Sequence, residues 1–174
     1  ALAYSKGIFP WFSEGEPILW YCPPERCVVF PANLKVSKSM KQIFKSNKYR
    51  VTWNQAFKEV IQNCSSIVRL GQDGTWITDE MQQAYLALHL QNKAQSVEVW
   101  KEDELVGGLY GVVNGPVFCG ESMFSKERDT SKLAMMHLCL NEKFKLIDCQ
   151  IHNDHLQRLG AEMIPYAEFK KYLK

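Results

Sequence analysis

Three strand-like runs follow one another without an intervening helix in the middle of this chain. The runs SVEVWK, ELVGGLYGVV and PVFCGESMF predict strands at 96–101, 104–113 and 116–124, and the segments KEDE and NGP supply the turns between them. Strands joined by turns this short pair antiparallel. The chain is therefore constrained to build a three-stranded meander whose apolar faces the other segments have to cover.

Helical periodicity flanks this meander on both sides. Amphipathic runs that begin with serine or threonine, residues fit to cap a helix, predict helices at 37–47, 52–66, 78–93 and 131–144. We expect Thr52, Thr78 and Ser131 to cap the last three of these helices.

A short strand (145–151), a helix (153–160) and a strand-like tail follow the fourth helix. The order of elements predicts an α+β protein with a mixed central sheet. This is the plan of an N-acetyltransferase-like (GNAT-like) fold.

Two of the strand-like runs carry polar side chains among residues that we expect to be buried. These side chains are Glu121, Asp148 and Gln150. Burying a carboxylate is costly unless something pairs with it, so they indicate a functional site. Asp148 and Gln150 are two residues apart on a strand and share a face, where the acid would polarise the amide in a hydrogen-bonded relay. The structural alternatives are that Asp148 caps the next helix and that Glu121 pairs with Lys132.

The net charge of +2 hides a basic stretch between residues 26 and 58. That window has no acidic residue and holds eight cations, so the rest of the chain carries −6. The eight cations are Arg26, Lys35, Lys38, Lys41, Lys45, Lys48, Arg50 and Lys58. The asymmetry favours a phosphate-rich partner over a merely solvated helix face.

Other residue patterns exclude several classes of protein. No apolar run approaches the roughly 18 residues that span a bilayer. The six cysteines form no CxxC pair, which indicates scattered reduced thiols rather than a zinc ribbon. His152 and His155 flank Asp154 but lack a third ligand with suitable spacing. We therefore expect neither a metal nor a membrane anchor.

A set of longer motifs occurs in a fixed order along the chain. They are FPWFSEGEPILWYCPPER (9–26), SKSMK (37–41), YRVTWNQAF (49–57), GTWIT (74–78), SVEVW with ELVGGLYGV (96–112), FCGESMFS (118–125), SKLAM (131–135) and LIDCQIHNDHLQRLGA (146–161). Together they resemble the bacterial leucyl/phenylalanyl-tRNA–protein transferase family from end to end. FCGESMFS and LIDCQ are the most specific of these strings.

The resemblance implies a cytoplasmic, monomeric aminoacyltransferase. Such an enzyme takes Leu or Phe, and Met less well, from leucyl-tRNA or phenylalanyl-tRNA. It forms a peptide bond with the α-amino group of a protein whose N-terminal residue is Arg or Lys, and so creates a degradation signal. The implied organisation is a remnant of a small, partly missing N-terminal domain (1–31) followed by an acetyltransferase-like domain (32–174). No cofactor is implied.

The resemblance also implies roles for particular residues. Asp148 and Gln150 match the family's catalytic pair, and Glu121 is assigned to binding the cationic acceptor. The donor side-chain pocket is assigned to Leu109, Met123 and Met135. The candidates to stack on the terminal adenosine of the tRNA are Trp76, Tyr85 and Trp20. The candidates to contact tRNA phosphates are Lys38, Lys41, Lys45, Lys48 and Arg50.

Three rival functions stay open at this point. An acyl-coenzyme-A-dependent N-acetyltransferase should carry a glycine-rich pyrophosphate loop, and FSKERDTSKLA before the fourth helix lacks one. A non-catalytic tRNA-binding module would explain the basic stretch but not the polar groups in the strands. A relative that accepts N-terminal Asp or Glu is disfavoured by like-charge repulsion from Glu121.

Overall fold

The computed structural model describes residues 2–12, 16–67 and 76–173. The helices are α1 (Leu2–Ser5), α2 (Lys38–Lys45), α3 (Phe57–Ser66), α4 (Asp79–Leu90), α5 (Thr130–Cys139), α6 (Asp154–Arg158) and α7 (Tyr166–Phe169). The strands are β1 (Phe9–Pro10), β2 (Trp20–Tyr21), β3 (Glu25–Val29), β4 (Arg50–Trp53), β5 (Ala94–Lys101), β6 (Glu104–Asn114), β7 (Val117–Ser125), β8 (Leu146–Gln150) and β9 (Glu162–Pro165).

Seven of these strands form one sheet in the order β4-β5-β6-β7-β8-β3-β9, and β1 pairs with β2 in a separate ribbon. Neighbouring strands of the sheet run antiparallel except β7 and β8, which run parallel. The predicted meander is confirmed as β5, β6 and β7. The predicted α+β class with a mixed central sheet is confirmed as well.

Apolar side chains cover both faces of the sheet. On one face, Phe57, Val60 and Ile61 of α3 pack in a cluster that also holds Tyr85 of α4. On the other face, α5 contributes a continuous apolar surface that includes Leu133. Because the strands are buried from both sides, a polar side chain within them must find its partners inside the protein.

Three helix starts agree with the sequence prediction. Ser37 accepts from the N–H of Met40, Thr78 accepts from that of Met81, and Asn153 begins α6 in the same way. Each side-chain oxygen satisfies an N–H group that has no partner within its own helix.

The prediction of a helix from Thr52 is wrong. Residues Arg50–Trp53 form β4, which pairs with β5, and α3 begins only at Phe57. The Thr52 hydroxyl donates to the buried carboxylate of Glu98 at 2.6 Å instead of capping a helix. Pairing with a neighbouring strand therefore overrides the local capping signal.

Helix α5, which the sequence predicted at 131–144, also differs from its prediction. It begins at Thr130 after Asp129, whose φ is +68°, and ends at Cys139 rather than at residue 144. Ser131 does not cap it, because its N–H lies within the first turn and donates to the hydroxyl of Ser125 at 2.9 Å.

The glycine pair in β6 marks a close approach of neighbouring segments to the backbone. A Cβ atom on Gly107 would lie 2.3 Å from Thr130 Oγ1, and one on Gly108 would lie 2.8 Å from the Val97 carbonyl oxygen. The register of β5 and β6 also shifts beside this pair, between Val99 and Trp100. The missing side chains let α5 and β5 pack directly on the β6 backbone.

The predicted domain boundary after residue 31 stays a prediction. Strand β3 precedes that boundary, and it lies inside the main sheet between β8 and β9.

Candidate active site

The sheet opens between its parallel strands β7 and β8. These strands pair at Val117 with Leu146, at Phe118 with Ile147 and at Cys119 with Asp148. Beyond that point β7 continues to Ser125 with β6 as its partner, whereas β8 ends at Gln150, whose φ is +64°. The side chains that follow the last pair therefore face a gap at the carboxyl ends of both strands.

A β-bulge places Glu121 at this opening. Gly111 pairs with Gly120 and Tyr110 pairs with Ser122, so Glu121 is one extra residue on β7. A bulge changes the direction of a side chain relative to regular alternation. It allows Glu121 to line the opening while the flanking residues stay in the sheet.

Three side chains donate hydrogen bonds to the Glu121 carboxylate. Tyr4 donates to Oε1 at 2.8 Å, Tyr85 donates to Oε2 at 2.6 Å, and Gln150 Nε2 donates to Oε1 at 3.1 Å. The hydroxyls of Tyr4 and Tyr85 also lie 3.0 Å apart. Burial raises the pKa of Glu121 to about 7, although the three donors favour its ionised form and partly offset that rise.

Asp148 lies behind this group rather than at the opening, with none of its surface exposed. Arg26 donates to it from Nε at 2.9 Å and from Nη2 at 3.1 Å, and the N–H of Gln150 donates to Oδ1 at 2.9 Å. Burial raises the pKa of Asp148, and the Arg26 charge opposes that rise. Asp148 thus accepts from the backbone of Gln150, whereas the Gln150 side chain donates to Glu121, and the relay from Asp148 through that side chain stays a prediction.

Arg26 is itself enclosed, with 1% of its surface exposed. Its guanidinium lies 4.6 Å from the ring centroids of both Phe9 and Phe169, and Nη2 also donates to the Gly7 carbonyl oxygen at 2.7 Å. Cation–π contact and bidentate pairing together compensate the buried charge. Arg26 therefore does not belong to the basic surface with which the sequence grouped it.

An apolar pocket of about 420 Å³ extends from the opening. Its described lining includes the predicted donor-pocket residues Leu109, Met123 and Met135, together with Phe118 and Leu156. Glu121 and Gln150 lie in the same lining. The structure thus brings the predicted donor pocket and two of the three predicted catalytic side chains together.

The three aromatic candidates for the terminal adenosine lie in different settings. Trp76 lines the pocket and meets Tyr85 edge to face at 6.4 Å. Tyr85 is 2% exposed and its hydroxyl donates to Glu121, and the stacking of its ring on a base stays a prediction. Trp20 is 57% exposed on β2 and is not among the described residues that line the pocket.

The predicted phosphate contacts lie on the protein surface. Lys38, Lys41 and Lys45 are exposed on α2. Lys48 pairs with Glu127 at 3.1 Å, and the Arg50 guanidinium lies 5.1 Å from the Trp100 ring centroid. The two predicted alternatives for the buried acids fail, because Lys132 pairs with Asp129 and Asn153 caps α6.

Several residues of the site escaped sequence analysis. Tyr4 and Arg26 reach the site from the N-terminal part of the chain, and Asn153 and His155 line the pocket from the segment after β8. Arg26 carried a usable signal, since it is a charged residue beside the apolar run CVV. Tyr4 carried none, because nothing local distinguishes it from an ordinary core tyrosine.

No helix within 2–12, 16–67 and 76–173 is long and apolar enough to cross a membrane. The same residues contain no group of three or more His, Cys, Asp or Glu that could hold a metal ion.

Fold and site together define an α+β protein of the acyl-transfer type predicted from the sequence. A mixed sheet opens at a parallel pair of strands, and a carboxylate and an amide stand at the mouth of an apolar pocket. A family model described as Leucyl/phenylalanyl-tRNA protein transferase matches residues 28–174, and a model of that family's N-terminal domain matches residues 1–24. The chain belongs to this family.

Curated relatives agree with the family model. A protein of Flavobacterium psychrophilum named leucyl/phenylalanyl-tRNA–protein transferase is 56% identical over 176 residues, which cover 99% of this chain and 83% of that protein. A protein of the same name from Escherichia coli O1:K1 / APEC is 50% identical over 175 residues, which cover 99% of this chain and 74% of that protein.

Solved structures share the fold at low sequence identity. A functionally unknown conserved protein from Staphylococcus epidermidis aligns with a TM-score of 0.54 at 9% identity, over 81% of this chain and 57% of that chain. A conserved protein of unknown function from Bacteroides thetaiotaomicron aligns with a TM-score of 0.50 at 12% identity, over 77% of this chain and 53% of that chain. The chain thus spans little more than half of each, and the likeness concerns the fold alone.

Proposed function

We propose that this protein transfers Leu or Phe, and Met less well, from aminoacyl-tRNA to the α-amino group of proteins with N-terminal Arg or Lys. Family membership supports the use of tRNA and protein substrates. The observation that carries the proposal is the hydrogen bond between Glu121 and Gln150 at the mouth of an apolar pocket. We further propose that the enzyme acts as a monomer in the cytoplasm.

The amino-acid side chain of the donor enters the apolar pocket. Met123 and Met135 have flexible, unbranched side chains that adapt to Leu, Phe or Met. Leu109 lies opposite Met123 in the β6–β7 register and completes the wall. A pocket of this kind discriminates by shape, so β-branched donors such as Ile and Val fit it poorly.

The reaction needs orientation more than covalent catalysis, because an aminoacyl ester is already activated. The amine nitrogen attacks the ester carbonyl carbon, the ester C–O bond breaks, and a ribose hydroxyl of the terminal adenosine leaves with a proton. Starting from an α-ammonium group, the step releases one proton overall. Holding the two reactants in place can supply roughly 7–11 kcal/mol of the barrier.

Gln150 is oriented for this task by its contacts. Its Nε2 donates to Glu121, so its carbonyl oxygen is left to accept from the incoming amine. Asp148 fixes the Gln150 backbone from behind, and Arg26 fixes Asp148 in turn. Asp148 and Arg26 are therefore positioning residues, whereas Gln150 is the catalytic residue that meets the amine.

Glu121 attracts the cationic acceptor. A carboxylate offers about four acceptor positions, and the described donors occupy two on Oε1 and one on Oε2. An α-ammonium or a guanidinium group can take the position left on Oε2. Since the pKa of Glu121 is about 7, attraction of the acceptor strengthens as the pH rises through neutrality.

The surface cations of α2 hold the tRNA. Lys38, Lys41 and Lys45 present positive charge to the acceptor-stem phosphates, which makes binding salt-dependent and nearly blind to sequence. Trp76 offers its ring to the terminal adenosine at the pocket wall.

Transfer of labelled Phe from charged tRNA to a peptide with N-terminal Arg tests the proposal, with N-terminal Ala and Asp peptides as acceptor controls. We expect transfer to the Arg peptide alone. In Glu121→Gln, the KM for this peptide should rise by about 10- to 150-fold, the equivalent of a hydrogen bond to a charged group, with unchanged affinity for tRNA. Glu142→Gln, an exposed change in the turn before β8, is the matched control.

Other outcomes would redirect the proposal. Equal transfer to the Arg and Ala peptides would show that Glu121 does not recognise the acceptor. Preferred transfer to the Asp peptide would show that the enzyme prefers an acidic acceptor to a basic one. Binding of charged tRNA without any transfer would leave a tRNA-binding module.

The geometry disfavours the acyl-coenzyme-A alternative. A pyrophosphate would need free N–H groups at the start of α5, yet the Ser131 N–H already donates to Ser125. Asp129 and Glu127 also place carboxylates at this point. Two negative side chains beside the helix start oppose the binding of an anion there.

A further inference from the structure

A second cleft of about 330 Å³ lies on the α5 side of the sheet. Three of its lining residues are cations from three separate segments: Lys35 before α2, Lys132 on α5 and Arg158 at the end of α6. Met40 and Leu159, both buried, form part of its apolar floor. No carboxylate is among the described residues that line it.

Backbone geometry brings Lys35 to this cleft. The Lys35 N–H donates to the Leu159 carbonyl oxygen at 2.9 Å. Gly160, whose φ is +99°, makes the approach possible, because a Cβ atom there would lie 2.6 Å from the Asn33 carbonyl oxygen and 3.2 Å from Lys35 N. The close contact holds the segment before α2 against the end of α6.

The positive charge of the cleft is mostly uncompensated. Lys132 pairs with Asp129 at 2.6 Å. Neither Lys35 nor Arg158 has an ion-pair partner within the part of the chain that the structure describes. Two cations without an ion-pair partner, beside a third that pairs with Asp129, form a site for a compact anion.

The cleft adjoins the active-site pocket. Lys132 lines the cleft and Met135, three residues further along α5, lines the pocket, so the two side chains are neighbours on one helix face. On α6, His155 lines the pocket and Arg158 lines the cleft. Burial lowers the pKa of His155, the charges of Lys132 and Arg158 lower it further, and Asp129 opposes them.

We propose that this cleft binds a backbone phosphate of the aminoacyl-tRNA near the end that carries the amino acid. The inference rests on the proposed function and adds to it a phosphate subsite made by Lys35, Lys132 and Arg158. Lys38 and Lys41, both exposed, follow Lys35 within six residues, and this run of cations favours a polyanionic strand over an isolated acidic side chain of the acceptor.

The test compares wild type with Arg158→Gln and Lys35→Gln. Lys145→Gln is the matched control, because Lys145 is exposed just before β8, at the opposite end of that strand from Gln150. The Kd for phenylalanyl-tRNA is measured at several salt concentrations. Each cleft variant should weaken binding about tenfold, the lower end expected for a hydrogen bond to a charged group. Each should also flatten the plot of log K against log salt by about 0.7–0.9, the value of one phosphate contact.

A donor without phosphates separates binding from chemistry. Transfer from the phenylalanyl ester of adenosine should be equal in wild type and both cleft variants, whereas the KM for charged tRNA should rise. Inorganic phosphate should also raise the pKa of His155, observed by NMR, in wild type and not in Arg158→Gln, because a bound anion offsets the neighbouring positive charge.

Each result that would contradict the proposal points to a different conclusion. Equal losses with both donors, or an unchanged salt slope in both variants, would overturn the phosphate subsite. Altered KM for acceptor peptides with acidic residues, at unchanged tRNA affinity, would overturn it in favour of an acceptor subsite. Wild type that transfers from neither donor would refute the proposed function, while the salt slopes would still decide the cleft.

Discussion

Replacing Glu121 by glutamine is expected to remove a pH-dependent loss of stability. Glu121 has a pKa of about 7 in the folded protein against 4.5 for the free side chain. Below pH 4.5 the group is protonated in both states and contributes nothing to the pH dependence. Between pH 4.5 and 7 the unfolded chain ionises while the folded protein retains its proton, so unfolding becomes easier as the pH rises. At 1.36 kcal/mol per pKa unit, the free energy of unfolding falls by about 3 kcal/mol across this window.

Urea unfolding of wild type and Glu121→Gln at intervals from pH 4 to pH 8 measures this effect. The difference between the two free energies of unfolding cancels the titration of other groups, including Asp148. We expect the difference to move by about 3 kcal/mol in favour of the variant as the pH rises. Glutamine keeps the shape of the side chain, so lost packing adds only a constant offset.

A second variant, Tyr85→Phe, adds an independent check on the same titration. Tyr85→Phe removes a donor that favours the ionised form of Glu121, so the upper end of the window should move to higher pH. A difference between wild type and Glu121→Gln that stays constant from pH 4 to pH 8, or that moves in favour of wild type, would refute the reasoning.

Three more predictions concern stability. Arg26→Met leaves a buried carboxylate without its partner and should lower the free energy of unfolding by about 3–5 kcal/mol in urea titrations, with a much smaller loss when Asp148→Leu is added. Gly107→Ala should cost about 1–3 kcal/mol by the same measurement, whereas Gly120→Ala, whose nearest contact is at 3.5 Å, should be tolerated. Glu127 has a pKa of about 2, so it stabilises the fold above pH 4.5 and loses that effect as the pH falls towards 2; Glu127→Gln should unfold at a less acidic pH in a circular-dichroism acid titration.

Local patterns in the sequence predicted the meander, the caps of α2 and α4, and the mixed sheet. Period, turn residues and capping side chains are properties of short segments, so they are readable without the rest of the chain. The prediction for the start of α3 was wrong because a contact with a distant residue decided the structure there. Thr52 has a local capping signal, but its hydroxyl is used by Glu98, 46 residues away.

The residue types of the site could be predicted from the sequence, but the contacts between these residues could not. The apolar flanks of Glu121, Asp148 and Gln150 made their burial visible in the sequence. The pairing of Asp148 with Arg26 spans 122 positions and has no local signature. The bulge at Glu121 was equally hidden, because one extra residue in β7 has meaning only against its register with β6. Alternation along the strand alone could not show that the side chain turns towards Tyr4 and Tyr85.

The position of β3 has a consequence for the order in which this protein matures on the ribosome. β3 is synthesised early, yet both of its neighbours in the sheet, β8 and β9, are made more than a hundred residues later. Pairing over such separations is slow, and an unpaired strand can meet other chains in the meantime. Arg26 on that strand also lacks its ion-pair partner until Asp148 has been synthesised. A nascent chain that has not yet produced β8 can therefore form the meander but lacks Asp148 and Gln150, so activity should emerge only late in synthesis.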